Sequence, residues 1–348
     1  MNQSVMKKKK IIFRILTGII LLSIISGGIA YYYLFYPQFH PPKTVYIYVD
    51  RDDTADSIYN KVKKIGYAGN LIGFKWLSRY KKPAFEIHTG RYVIRPKDNA
   101  YHVFSRLYRG YQEPVNLTIG SVRTLDRLAG SVGKQLMIDS AEIARQMFDP
   151  TFLIQIGYTN ATLPCLFIPD TYQVYWNMSV EEFFKRMQKE HERFWNDKRL
   201  AQASALGMAP IEICTLASIV EEETNNNEEK PMVAGLYMNR LHMNMPLQAD
   251  PTVKFALQDF ALRRISNENL QIDSPYNTYI NTGLPPGPIR IATKKGIESV
   301  LNYTKHDYIY MCAKEDFSGT HNFASNYADH MINARKYWKA LNERKIFK

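Results

Sequence analysis

The hydrophobic pattern changes its period along the chain. Residues 15–36 (ILTGIILLSIISGGIAYYYLFY) have none: 22 positions pass without a charge, enough to cross a hydrocarbon core of about 30 Å as a helix. The run closes on Tyr31, Tyr32, Tyr33, Phe35 and Tyr36, amphipathic rings of the kind that settle at a membrane interface. As a cleaved signal it would be overlong, with tyrosines where a small-residue cleavage site belongs. After the spacer FHPP, TVYIYV from Thr44 alternates like a strand. Ala55, Ile58, Tyr59 and Val62 then take helical spacing within residues 54–64. Residues 71–80 predict a second helix and 90–94 (GRYVI) a second strand. Residues 115–119 followed by 124–136 repeat the strand-then-helix pattern. From about residue 150 onward helical stretches alternate with loops dense in Pro, Asn, Gly and Tyr, and YTKHDYIY (303–310) reads as core strand.

One further helix bears candidate chemistry. Pro210 suits the first turn of a helix running to Thr224. Ile213, Leu216, Ala217 and Val220 form its apolar stripe. At 100° per residue Glu222 falls opposite that stripe, with Glu221 and Glu223 on its flanks. Glu222 is therefore expected to face outward. A flanking carboxyl set against a cleft is partly desolvated, which raises its pKa and suits a general acid. Periodicity nominates Glu221 and Glu223 equally. The bland alternative is three glutamates solvating a helix end, although acids there oppose the macrodipole.

Charge gives this layout a direction. The net charge is +12, and Lys7, Lys8, Lys9, Lys10 and Arg14 supply five of it ahead of the apolar run, leaving about +7 beyond. By the positive-inside bias this basic end stays in the cytoplasm and everything after Pro37 lies across the membrane. A basic exported part suits an anionic partner such as an acidic lipid surface or a cell wall bearing peptide carboxylates, and the placement argues against nucleic acid. At 348 residues, 45% of them hydrophobic, two globular parts plus an anchor are expected. Cys165, Cys214 and Cys312 are widely spaced and odd in number, so neither a disulfide framework nor a zinc site is expected. No glycine-rich phosphate loop, HExxH or GxSxG occurs.

The carboxylate helix also carries a resemblance. ASIVEEET (217–224) resembles the E-x-E-T helix of the MltG/YceG family of endolytic transglycosylases. In the family's order there follow NRL (239–241), MPLQADPTV (245–253), SPYNTY (274–279), GLPPGPI (283–289) and THNFASNYADH (320–330), with FIPDTY (167–172) upstream. Pro164 and Cys165 stand where the family has a Glu-Gly pair, and Asn244 where it has Gly. The strand–helix–helix–strand segment is similar to a LysM module, which implies glycan contact, with a spacer above the membrane as the rival reading. The implied fold class is α+β: a basic cytoplasmic tail (1–14), a single transmembrane helix (15–36), a LysM-like βααβ module (37–110) and a mixed α+β YceG-like catalytic domain (111–348).

The resemblance implies a lyase in the inner membrane with its catalytic domain in the periplasm. It would cut the MurNAc–GlcNAc bond of nascent strands and leave 1,6-anhydromuramyl ends, alongside peptidoglycan synthases. It makes Glu223 the single general acid/base, with Glu221 as the alternative, and calls for no metal or cofactor. Gln248, Asp250, Thr252, Tyr276, Asn277 and Tyr279 are residues of a kind that grip sugar hydroxyls or an acetamido group, Gln248 and Asn277 foremost. His321 is a candidate lining residue. His321 and His330 lack a convincing third ligand, so a structural role is expected over a metal-dependent amidase. The principal alternative function is a non-catalytic wall-binding scaffold.

Overall fold

The protein is described by a computed structural model covering residues 2–344 except 67, 70, 81–87 and 263–264. Its elements run α1 (Asn2–Phe35), β1 (Val45–Val49), α2 (Ala55–Ile65), α3 (Ile72–Tyr80), β2 (Gly90–Ile94), α4 (Ala100–Tyr108), β3 (Val115–Ile119), α5 (Leu125–Gly133), α6 (Ser140–Met147), α7 (Pro150–Gln155), β4 (Asp170–Val174), α8 (Val180–Phe194), α9 (Asp197–Ala205), α10 (Pro210–Glu223), α11 (Lys230–His242), α12 (Asp250–Leu257), α13 (Lys294–Leu301), β5 (Tyr310–Ala313), β6 (His321–Ala324) and α14 (Tyr327–Glu343). The strands form two-stranded sheets, β1–β2, β3–β4 and β5–β6. Helix and sheet are thus mixed. The chain forms two compact units, Met1–Asn116 with Gln173–Met178, and Leu117–Tyr172 with Ser179–Lys348.

In the first unit, β1 and β2 pair antiparallel with Ile47 opposite Tyr92. Alternation turns Ile47, Val49, Tyr92 and Ile94 inward, where they join Ile58 and Val62 of α2, Phe74 of α3 and Val103, Phe104 and Leu107 of α4. Thr54 and Ser57 close a capping box that starts α2 where the sequence pattern starts it. Helix α1 is longer than the uncharged run, beginning at Asn2 and taking the basic residues into its first turns. From Val5 to Phe35 it has a mean hydropathy of 2.1 in its most apolar window and is long enough to span a membrane. Its C-terminal end packs on α3 so closely that a Cβ at Gly73 would lie 2.0 Å from the Tyr33 carbonyl oxygen.

In the second unit, α10 is the axis. Ile213, Leu216, Ala217 and Val220 are buried as their spacing predicts, but Cys214, Thr215, Ser218 and Ile219 are buried as well. Helices α11 and α13 pack against α10 through Val233, Ala234, Tyr237, Ile297 and Val300. The expected one-sided stripe is therefore corrected: neighbours surround the helix on all sides. Cys165 and Cys214, far apart in sequence, meet in this core, where hydrogen bonding to Cys214 and burial push the Cys165 thiol up; both are free. Residues 303–309 form no ladder, and only Tyr310 of the expected strand lies in one. Instead the Asn239 amide grips that segment by donating to the carbonyls of His306 (2.7 Å) and Tyr308 (2.9 Å).

Candidate active site

The three glutamates ending α10 enter three different environments, all within the second unit. Glu221 is buried and accepts from the Thr293 amide at 3.0 Å and the Thr293 hydroxyl, with the Lys230 ammonium 3.3 Å away. Helix α13 passes so near that a Cβ at Gly296 would meet the Glu221 carboxyl at 2.7 Å. Glu222 does not face open solvent as its helical phase suggests. Arg123 holds it in a two-pronged contact, 2.7 Å on each oxygen, and Arg290 adds a third bond at 3.1 Å. These two carboxylates are bound up in structure.

Glu223 differs. It is half-buried and lines a cavity of about 230 Å³ with Leu236, Tyr237, Arg240, Leu247, Gln248, Asp250, Tyr279, Met311, Cys312, Ala313 and His321. Among the described residues one hydrogen bond reaches its carboxyl, from the buried Tyr237 hydroxyl at 2.8 Å. Burial lifts its pKa from the ordinary 4.5 to about 7; the Tyr237 bond pulls it down, Asp250 pushes it up, Lys254 pulls it down and Glu222 pushes it up. Near neutrality the group is thus divided between acid and carboxylate, as a group that gives and then takes a proton requires.

The surrounding residues are themselves fixed. The Tyr279 hydroxyl donates to Asp250 at 2.5 Å. Gln248 has φ of 51°; its backbone amide donates to the Thr278 carbonyl and its side-chain oxygen accepts from Arg240. Arg240 spends its remaining donors on the carbonyls of Ile309, Pro246 and Leu247 at 2.7–3.1 Å. It therefore joins the loop before α12 to the segment leading into β5. His321 is oriented by the buried Glu229, whose oxygens take the His321 amide at 2.6 Å and ring Nδ1 at 3.1 Å. Among the described residues no hydrogen-bond partner reaches its Nε2.

Of the residues nominated from sequence, Glu223, Gln248, Asp250, Tyr279 and His321 share this cavity, and Glu221, Thr252, Tyr276 and Asn277 do not line it. Thr252 is fully buried, its hydroxyl 2.7 Å from the Ala249 carbonyl and 2.8 Å from Thr278. Asn277 is fully buried, donating to the carbonyls of Leu270 and Ile272 and accepting from the Tyr279 amide. Tyr276 packs its ring on Phe255. These three shape the loop that presents Tyr279. His330 stacks on Tyr310 at 5.2 Å, and among the described residues no group of three His, Cys, Asp or Glu could hold a metal. A larger cavity of about 430 Å³ lies beside Met208, Leu241 and Leu284. Its carboxylate, Glu212, caps α10 by accepting the Ala209 amide at 2.7 Å, so that cavity lacks an available acid.

Sequence reasoning missed Tyr237, because a tyrosine on an apolar helix reads as core until its hydroxyl finds a partner. It also missed Glu229 and the Arg123–Glu222–Arg290 cluster, whose members are separated by 68 and 99 positions.

A sequence profile of the YceG-like family matches residues 47–336. The chain is 28% identical over 319 residues to an endolytic murein transglycosylase of Bacillus subtilis, spanning 86% of this chain and 87% of that protein. It is 27% identical over 330 residues to an endolytic murein transglycosylase of Streptococcus pneumoniae, of whose length it covers 58%. The crystal structure of a YceG-like protein from Listeria monocytogenes superposes with a TM-score of 0.57 at 25% identity, covering 84% of this chain and 99% of that one.

Proposed function

The chain belongs to the YceG-like family, and on that premise we propose that it is an endolytic transglycosylase of peptidoglycan with Glu223 as its one general acid and base. The observation that carries this reading is the state of Glu223: half-buried in a cavity, held among the described residues by Tyr237 alone, and raised to about 7.

The protonated carboxyl gives its proton to the oxygen joining C1 of N-acetylmuramic acid to N-acetylglucosamine, and the C1–O bond breaks. The resulting carboxylate takes the proton from the muramyl C6 hydroxyl, whose oxygen bonds to C1. One strand leaves with a new 4-hydroxyl, the other ends in a 1,6-anhydro ring, and Glu223 is again protonated. Water takes no part, and because the nucleophile belongs to the ring it attacks, proximity supplies much of the rate. Tyr237 steadies the carboxylate between the two transfers, while Gln248, Asp250, Tyr279 and His321 offer donors and acceptors to the sugars.

Helix α1 serves as a single-pass anchor with its lysines in the cytoplasm, placing the second unit outside the inner membrane beside newly made strands and their synthases. The βααβ segment of the first unit acts as a LysM-like contact with glycan.

Full-length protein in detergent, given peptidoglycan, is expected to release anhydromuramyl products identified by mass spectrometry. Glu223→Gln should release none; undiminished release would move the acid elsewhere. A second reading has one observation in its favour, since Asp250 lines the same cavity and could activate a water, as in two-carboxylate glycosidases. Products heavier by one water, with reducing ends, would establish that hydrolase.

A further inference from the structure

Behind the wall formed by Glu222 and α12 lies a second, smaller cavity of about 60 Å³, lined by Arg123, Glu222, Pro251, Lys254, Phe255, Phe260 and Ile289. It adjoins the catalytic cavity through shared elements: Glu222 precedes Glu223 on α10, and Lys254 lies one turn after Asp250 on α12. Its charge is unbalanced. Arg123 and Arg290 share Glu222, and Arg290 also lies 3.9 Å from Glu221. Two guanidinium groups lie over the Phe260 ring, Arg123 at 5.3 Å and the exposed Arg127 at 5.9 Å from its centre. Lys254 is half-buried, and among the described residues no carboxylate lies within ion-pairing distance of its ammonium. Asp250, the nearest acid along its own helix, is taken by Tyr279.

A half-buried ammonium with no ion pair among the described residues, next to a glycan cleft and with an exposed guanidinium stacked nearby, calls for an anion from outside. In a peptide-bearing strand the lactyl carboxyl of N-acetylmuramic acid is taken up in the amide to the peptide, so the glycan itself supplies none. The peptide that each muramyl residue bears on its lactyl group does, through its free carboxylates. We propose that the recess at Lys254 and Phe260, with the exposed Arg127 at its edge, is a binding site for a carboxylate of the muramyl stem peptide. This rests on reading the substrate as peptidoglycan, and it assigns Lys254 and Arg127 to specificity, with Phe260 holding Arg127 in place. The arginine pair on Glu222 keeps the floor of the recess rigid.

The test is calorimetric titration of the full chain in detergent with a disaccharide–peptide ending in an anhydromuramyl group, which cannot be cut again. The same compound with its carboxyls capped by methylamine is the comparison. The free-carboxylate form is expected to bind about tenfold more tightly, the effect of one lost charge-assisted bond. Lys254→Gln combined with Arg127→Gln should abolish that preference while thermal melting stays that of a folded protein. Equal binding of the two compounds by the unaltered chain, or a preference that survives in the double variant, would overturn the proposal. A preference found in a chain that cuts no strand would keep this site and discard the transglycosylase reading.

Discussion

Glu223 shows how one residue's surroundings determine both rate and stability. Because its pKa is raised, the folded protein holds this proton between pH 4.5 and about 7 whereas the unfolded chain releases it. Stability from this group is therefore full below 4.5, declines as pH rises and levels off above 7. A rise from 4.5 to about 7 corresponds to on the order of 3 kcal/mol. Glu223→Gln should melt higher than the unaltered protein at pH 8 and equally at pH 4, while losing about 10²–10⁴-fold or more in kcat. Equal melting at both values would mean the carboxyl is better solvated than its position indicates. Tyr237→Phe makes a separate prediction. The lost bond favours the carboxylate, so its removal should move the basic limb of the pH–rate profile upward. A limb that stays in place would show that Tyr237 does not set the acid's pKa. Glu229→Gln tests the orientation of His321: if the ring must present Nε2 to a sugar, KM for peptidoglycan should rise severalfold while melting changes little.

At the scale of elements, the sequence pattern was legible wherever an element buries one side. The strand at 45–49 follows its alternation and α2 its cap, because each has one wet face, whereas the strand at 90–94 buries Val93 along with Tyr92 and Ile94. The pattern misled on α10, where apolar, polar and acidic positions are all enclosed. Periodicity assumes that polar residues mark the solvent face, but Ser218 is fully buried because its hydroxyl accepts the Ile289 amide at 3.0 Å. Glu221 is enclosed for the same reason, since it meets its partners inside the protein. Residues 303–309 failed differently: their bonds go to Asn239, which no local pattern signals. The site was legible in part. Residues on the cavity wall were nominated by type, but Asn277 and Thr252 are of the same types and serve the backbone instead. The close passage of α13 over Glu221 yields a prediction of its own. Gly296→Ala would press a methyl group against a carboxyl that Thr293 and Lys230 prevent from moving. A loss of about 1–3 kcal/mol is expected from such overpacking, read as a lower Tm; an unchanged Tm would show that α13 can shift.

For the whole molecule, the decisive variable is the side of the membrane on which the second unit lies. The chemistry proposed for Glu223 has a substrate only outside the cytoplasm, so catalysis and topology must agree. Topology here depends on few charges. Lys7, Lys8, Lys9, Lys10 and Arg14 precede the apolar run, whereas Lys43 and Arg51 are the first cations after it. The bias counts lysine and arginine near the ends of the span and gives little weight to acids. Five against two is therefore expected to hold the amino end inside. Replacing the four lysines with serine leaves Arg14 against Lys43 and Arg51, which removes the bias and tips it slightly the other way. A reporter active only outside the cytoplasm, fused after residue 348, is expected to be active on the unaltered chain and to lose much of its activity on the lysine-to-serine variant. Placing four lysines between Phe39 and Thr44 of that variant should complete the inversion and silence the reporter. A reporter silent on the unaltered chain would put Glu223 on the side where no finished glycan exists, and the proposed activity would fall with it.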